Sequence, residues 1–182
     1  MIKNIIVNLP VGGADAATTG YAISVASAFG AHLAGVAFAY KPVLPGTIFG
    51  SVRSTLIDAA LAECVKSAKD AAAGFDQAAR GAGLAVESRI LEMTAVDAAQ
   101  QFSRLARCFD LSIIGQSKQG KLAPEELIVE AALFGSGRPV LVVPYIQRQP
   151  LKLDRVLVCW DGSRNAARAT LFSARDSNHC TT

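Results

Sequence analysis

At 182 residues, 51% hydrophobic and 18% charged, the chain has room for one domain of ordinary size plus a short remainder, and its composition excludes a disordered protein. The formal charge of +3 arises wholly in residues 147–182, where six Lys or Arg face three Asp or Glu, while residues 1–146 balance twelve against twelve. Without a basic stripe or interleaved aromatics, that excess excludes nucleic acid as a partner, and the apolar runs fall well short of the roughly 18–20 residues that cross a bilayer.

The chain opens on Met1-Ile2-Lys3-Asn4-Ile5-Ile6-Val7, which reads as a strand from the start and lacks the basic, apolar and small-residue zones of a signal peptide. A cytoplasmic location is expected. Strand-like apolar runs follow at Asn4 to Asn8, Leu33 to Ala39, Ala85 to Leu91, Leu111 to Gly115 and Val140 to Val143. Runs of this kind suit strands buried on both faces of a parallel sheet.

Between them lie alanine-rich segments of helical period. The first, about Ala14 to Phe29, sets Tyr21, Val25 and Phe29 on one stripe and stops at Gly30. The second begins near Ser54 or Thr55, runs through Leu56, Ala60, Cys64 and Val65 towards Phe75 and Ala79, and ends at Gly81 and Gly83. A third, from about Val96 to Arg107, follows Thr94 as a cap and turns Ala99, Phe102, Leu105 and Ala106 inward. The fourth starts at Pro124, a favoured first helical position, and carries Leu127, Ile128 and Leu133 up to Gly135 and Gly137.

Alternating strands and helices predict right-handed crossovers and an open, doubly wound α/β sheet, with any ligand crevice at the carboxyl ends of the strands. If the first strand is central, the loops after Asn8, Ala39 and Gly115 converge there.

Beyond residue 146, Asp154-Arg155-Val156-Leu157-Val158-Cys159-Trp160-Asp161-Gly162-Ser163 echoes Lys3-Asn4-Ile5-Ile6-Val7-Asn8-Leu9-Pro10-Val11-Gly12 at an offset of 151. The expected organisation is a domain over 1–146, a polar linker over 147–153, and the truncated start of a second unit over 154–182. Arg155 to Trp160 is expected to be a strand that covers an edge of its own sheet or reaches a partner.

The first strand, the long second helix, the strand ending Ile113-Ile114-Gly115 and the closing Gly137-Arg138-Pro139-Val140-Leu141-Val142-Val143-Pro144 together resemble the universal stress protein family over residues 1 to about 146. The resemblance implies five parallel strands in the order 3-2-1-4-5 with helices on both faces, and a cytoplasmic role in stress response. It also implies frequent dimerisation through the last strand, and ATP as a ligand of some members. The exposed edge of Val140 to Val143 points to a homodimer as well.

Members that bind ATP carry G-x-x-G-x9-G-(S/T) after the fourth strand, where glycine amides and a helix start surround phosphates. Here Gly115 matches, Gly120 falls two places late, and nine residues beyond it stands Glu130-Ala131. Glu125 and Glu126 also lie at the helix start, where phosphate oxygens would sit. Pro10 stands where the ATP binders often place an aspartate, and Asp161 holds that place in the echo.

The candidate ligand-binding residues are therefore Asn8, Pro10, Val36, Gly115, Ser117, Lys118 and Gly120. The motif departure favours a ligand sensor or partner-binding protein without ATP. The alternatives are an ATP binder that hydrolyses slowly, with Ser117, Lys118 and Gly120 holding phosphate, and a dimerisation scaffold.

Other chemistry finds no support. Gly12-Gly13 belongs to no dinucleotide or Walker pattern, and Ser117 and Ser136 have no histidine base. The four cysteines, Cys64, Cys108, Cys159 and Cys180, show no C-x-x-C spacing, and His32 and His179 are the sole imidazoles, so neither a disulfide framework nor a metal site is expected. Cys64 and Cys108 are expected to be buried, inert thiols. Phe38, Tyr40 and Phe49 either line a pocket or plug the sheet.

Overall fold

The computed structural model describes residues 2–11, 16–41, 52–117 and 124–169. In chain order the elements are β1 (Asn4–Leu9), α1 (Ala16–Phe29), β2 (His32–Tyr40), α2 (Val52–Gly81), β3 (Val86–Met93), α3 (Ala95–Ala106), β4 (Leu111–Gly115), α4 (Pro124–Gly135) and β5 (Val140–Val143). They build one five-stranded sheet in the order β3-β2-β1-β4-β5. Every pairing is parallel, with Asn4 opposite His32 on one side of β1 and Ile5 opposite Leu111 on the other.

Successive side chains of a strand point to opposite faces, so β1 supplies both cores. Ile5, Val7 and Leu9 face Val25 of α1 and Ala68, Ala72 and Phe75 of α2. Ile6 joins Val36 and Phe38 against Ala98 and Phe102 of α3 and Ile128 and Ala132 of α4. The continuous apolar runs of β1, β2 and β4 are thus explained by burial on both faces. β3 departs from that expectation: it lies at an edge, and its burial alternates along much of its length with Glu87, Arg89 and Glu92 outward.

Helix ends follow the local chemistry. Gly30 and Gly83 take φ of +59° and +74°, which lets the amides of Ala31 and Leu84 turn back to the carbonyls of Ala26 and Ala79 and close α1 and α2. The Thr94 hydroxyl accepts from the amide of Asp97 and caps α3.

Not every apolar residue along the predicted helices turns inward. Ala60 is exposed. On α4 the buried residues are Ile128 and Ala132, while Leu127 and Leu133 are 37% and 49% exposed, because α4 packs through the stripe facing α3 and the sheet. Cys64, expected to be buried, is half-buried, and Cys108 lies past the end of α3 and is exposed.

The chain after residue 146 is also tied to the domain. The Leu151 amide donates to the Ser24 hydroxyl at 2.9 Å, and its side chain packs on the core beneath α1. Beyond it, residues 155–160 are exposed and pair with no strand among the described residues, so the expected sixth strand is not formed within the chain.

Two contacts fix the sheet and can be tested. A Cβ at Gly35 would lie 2.8 Å from Cε1 of Phe75 and 2.9 Å from Cδ1 of Leu9, so α2 reaches β2 closely because position 35 has no side chain. Gly35→Ala is expected to lower unfolding free energy by about 1–3 kcal/mol in urea denaturation, as overpacking does. The start of β1 is held by Asp110, whose Oδ2 accepts from the amides of Lys3 and Asn4, both at 2.9 Å.

Those two amides hold the Asp110 carboxyl below its usual range. A depressed folded pKa stabilises the fold above the unfolded value of about 3.9, and that contribution disappears as pH falls through the folded value. Asp110→Ala is expected to cost about 0.5–1 kcal/mol at neutral pH after allowance for solvent screening, with the difference from the parent closing in acid.

Candidate functional site

With β1 between β2 and β4, the carboxyl ends of these three strands lie side by side at the point where strand order reverses. At the end of β1, Asn8 is 2% exposed, and its side-chain oxygen has no hydrogen-bond partner among the described residues. Pro10 comes next at the rim, half-buried. Val36 stands opposite Asn8 in register but is 2% exposed within the core, so it shapes the floor and does not line an open surface.

Gly115 ends β4 against α1. A Cβ there would fall 2.5 Å from Oγ1 of Thr18, which is itself buried, so this glycine has a packing reason independent of any phosphate loop. Thr18 could not be found from sequence, because nothing local marks a residue of α1 as the neighbour of a strand end so far along the chain.

Two residues further, the Ser117 hydroxyl donates to Oε1 of Glu126 at 2.7 Å. The helix start is thereby tied to the strand end through a carboxylate. Lys118 and Gly120 lie outside the described residues, as does Phe49.

The rim is acidic on its other side too. Tyr40, at the end of β2, has its phenol raised above its ordinary pKa, first by burial and then by the Glu125 carboxylate. The Tyr40 ring stacks on Phe38 at 6.2 Å between centroids, so these aromatics plug the end of β2.

Among the described residues no cluster of three or more His, Cys, Asp or Glu could hold a metal ion, and no helix is long and apolar enough to cross a membrane. In the echoed segment, Oδ1 of Asp161 accepts from the Ser163 amide at 2.8 Å around Gly162, whose φ is +76°. The Ser163 hydroxyl accepts from the Ala166 amide at 3.1 Å. Asp161 is thus a turn former before a short helical segment.

Sheet order, crossover pattern and crevice define a doubly wound α/β protein with its site at a topological switch point. The comparisons narrow this to one fold. The universal stress protein UspA from Lactobacillus plantarum is similar at a TM-score of 0.61 and 14% identity, over 78% of this chain and 97% of that one. A universal stress family protein from Burkholderia pseudomallei is similar at 0.57 and 22% identity, over 79% and 96%. A third, from Archaeoglobus fulgidus, is similar at 0.52 and 17%, over 79% and 94%. No family model and no curated protein matches the chain. The chain therefore has the fold of the universal stress proteins, in the strand order that the resemblance implied.

The role of Gly115 can be separated from phosphate binding. Gly115→Ala is expected to destabilise the protein by about 1–3 kcal/mol through its clash with Thr18. Combined with Thr18→Ala, it is expected to cost less than the sum of the two single changes, measured as a double-mutant cycle in urea.

Proposed function

We propose that this chain is a universal-stress-type cytoplasmic protein that works in stress response by sensing a ligand or binding a partner, without ATP and without turnover. The observation that carries the reading is the contact between Ser117 and Glu126 at the start of α4.

In a phosphate site of this design, the helix start and the preceding loop offer amides and a positive dipole end to an anion. Here the first turn of α4 holds Glu125 and Glu126, and Glu126 is already engaged by the serine just past β4. The magnitudes favour exclusion. A helix end attracts one negative charge by about 0.3–1 kcal/mol at a surface, whereas two like charges about 4 Å apart repel by about 1–4 kcal/mol in water or near a protein surface. A triphosphate brings several charges, so repulsion wins.

The reading includes a homodimer through Val140–Val143. That strand has no neighbour on its outer side among the described residues and carries no charged residue, which leaves its edge unprotected. It also takes residues 1–146 as the universal-stress-like domain, 147–153 as a docked linker, and the segment from 154 as the start of a second unit, for which the echo of β1 is the support.

Isothermal titration of magnesium ATP into the purified chain tests the ligand claim, alongside a Glu125→Gln, Glu126→Gln double variant. The parent is expected to bind more weakly than about 1 mM, and the variant at least about tenfold more tightly than the parent. Micromolar binding by the parent would overturn the reading and make the altered loop a working phosphate site.

A further inference from the structure

Residues 155–160 combine two properties that rarely coexist in a stable surface. Their apolar run echoes that of β1, a strand buried on both faces, yet Val156, Leu157, Val158 and Trp160 are 53%, 90%, 47% and 62% exposed. Single exposed apolar residues need no explanation, but a contiguous strand-like run of them marks an interaction site.

A strand sequence of this kind is satisfied by a sheet edge, and the sheet has two. The β3 edge is guarded by Glu87, Arg89 and Glu92, with Arg89 paired to Glu87 at 3.7 Å and Lys41 to Glu92 at 3.6 Å. The β5 edge reads Val-Leu-Val-Val, without a charge. Its hydrogen-bonding direction is also defined: the amide of Ser112 donates to Pro139 O and that of Gln116 to Val143 O, so alternate residues face β4. The N–H and C=O groups of Val140 and Val142 therefore point outward. Uncharged, and unpaired on its outer side among the described residues, β5 is the edge that accepts another strand.

The segment does not occupy the edge of its own chain. The contact between Leu151 and Ser24 ties the preceding residues to α1, and residues 155–160 stand exposed beyond that anchor. We propose that residues 155–160 of one copy add as a strand to β5 of a second copy, reciprocally, giving a closed twofold dimer. The proposal rests on the edge dimer read above and names what fills the edge.

Charge selects the orientation. The Val143 end of β5 lies beside Gln116 and hence near the start of α4 with Glu125 and Glu126, while Arg138 precedes the other end. Asp154 and Arg155 offset one another, so Asp161 decides. Antiparallel addition brings Asp161 towards Arg138; parallel addition would bring it towards the two glutamates. The added strand is antiparallel.

The test is light scattering during size-exclusion chromatography of the full chain at micromolar concentration, with Val158→Pro and Asp161→Asn. A proline at 158 removes strand pairing from a segment that contributes nothing to the core, so the expected result is a dimer for the parent and a monomer of unchanged melting temperature for Val158→Pro. Asp161→Asn keeps an oxygen for the Ser163 amide and removes the charge; it is expected to weaken dimerisation about two- to fivefold. A dimer indifferent to Val158→Pro overturns strand donation while leaving the edge dimer in place, and a monomeric parent overturns both. Tighter dimerisation by Asp161→Asn overturns the antiparallel orientation. ATP titration is unaffected by either change, so the ligand reading stands or falls separately.

Discussion

Strand β1 is hydrogen-bonded on both of its edges and buried on both of its faces, and most of the structure is a consequence of that double demand. A central parallel strand cannot be reached by a short hairpin; each neighbour must arrive through a crossover, and each crossover helix must roof a face. Helices α1 and α2 cover Ile5, Val7 and Leu9, whereas α3 and α4 cover Ile6. The same arrangement brings the exits of β1, β2 and β4 together, so the crevice is a by-product of burying one strand completely.

Close approach makes that burial work, and it explains two glycines. Gly35 admits Phe75 to the sheet, and Gly115 admits Thr18. A glycine at the end of β4 invites a phosphate-loop reading, but here an atom of α1 already fills the space a side chain would take. Sequence spacing cannot distinguish a glycine kept for a ligand's approach from one kept for a helix's approach, since both need the missing Cβ.

Charge then sorts the surface. The start of α4 carries two carboxylates, one held by Ser117 and the other acting on Tyr40. At the sheet's margins the distribution is uneven: β3 is shielded by ion pairs, while β5 is bare and residues 155–160 remain exposed. An open apolar edge and an exposed apolar segment in one molecule are complementary features, each costly to leave in water.

Sequence by itself determined the elements and their order, because apolar periodicity, glycine stops and the Thr94 cap act over a few residues and do not depend on the rest of the chain. The alternation of elements reached an open parallel sheet, and the strand order within it came from the resemblance to the universal stress proteins. Asn8, Gly115 and Ser117 lie at one end of the sheet, since strand polarity dictates it. What only the tertiary structure decided were contacts between residues distant in the chain: Thr18 beneath Gly115, Glu126 on Ser117, Ser24 on the Leu151 amide, and the stripe of α4 that turns inward. These depend on the separation and rotation of packed elements, and a shift of one helical residue, about 100° around the axis, exchanges a buried side chain for an exposed one.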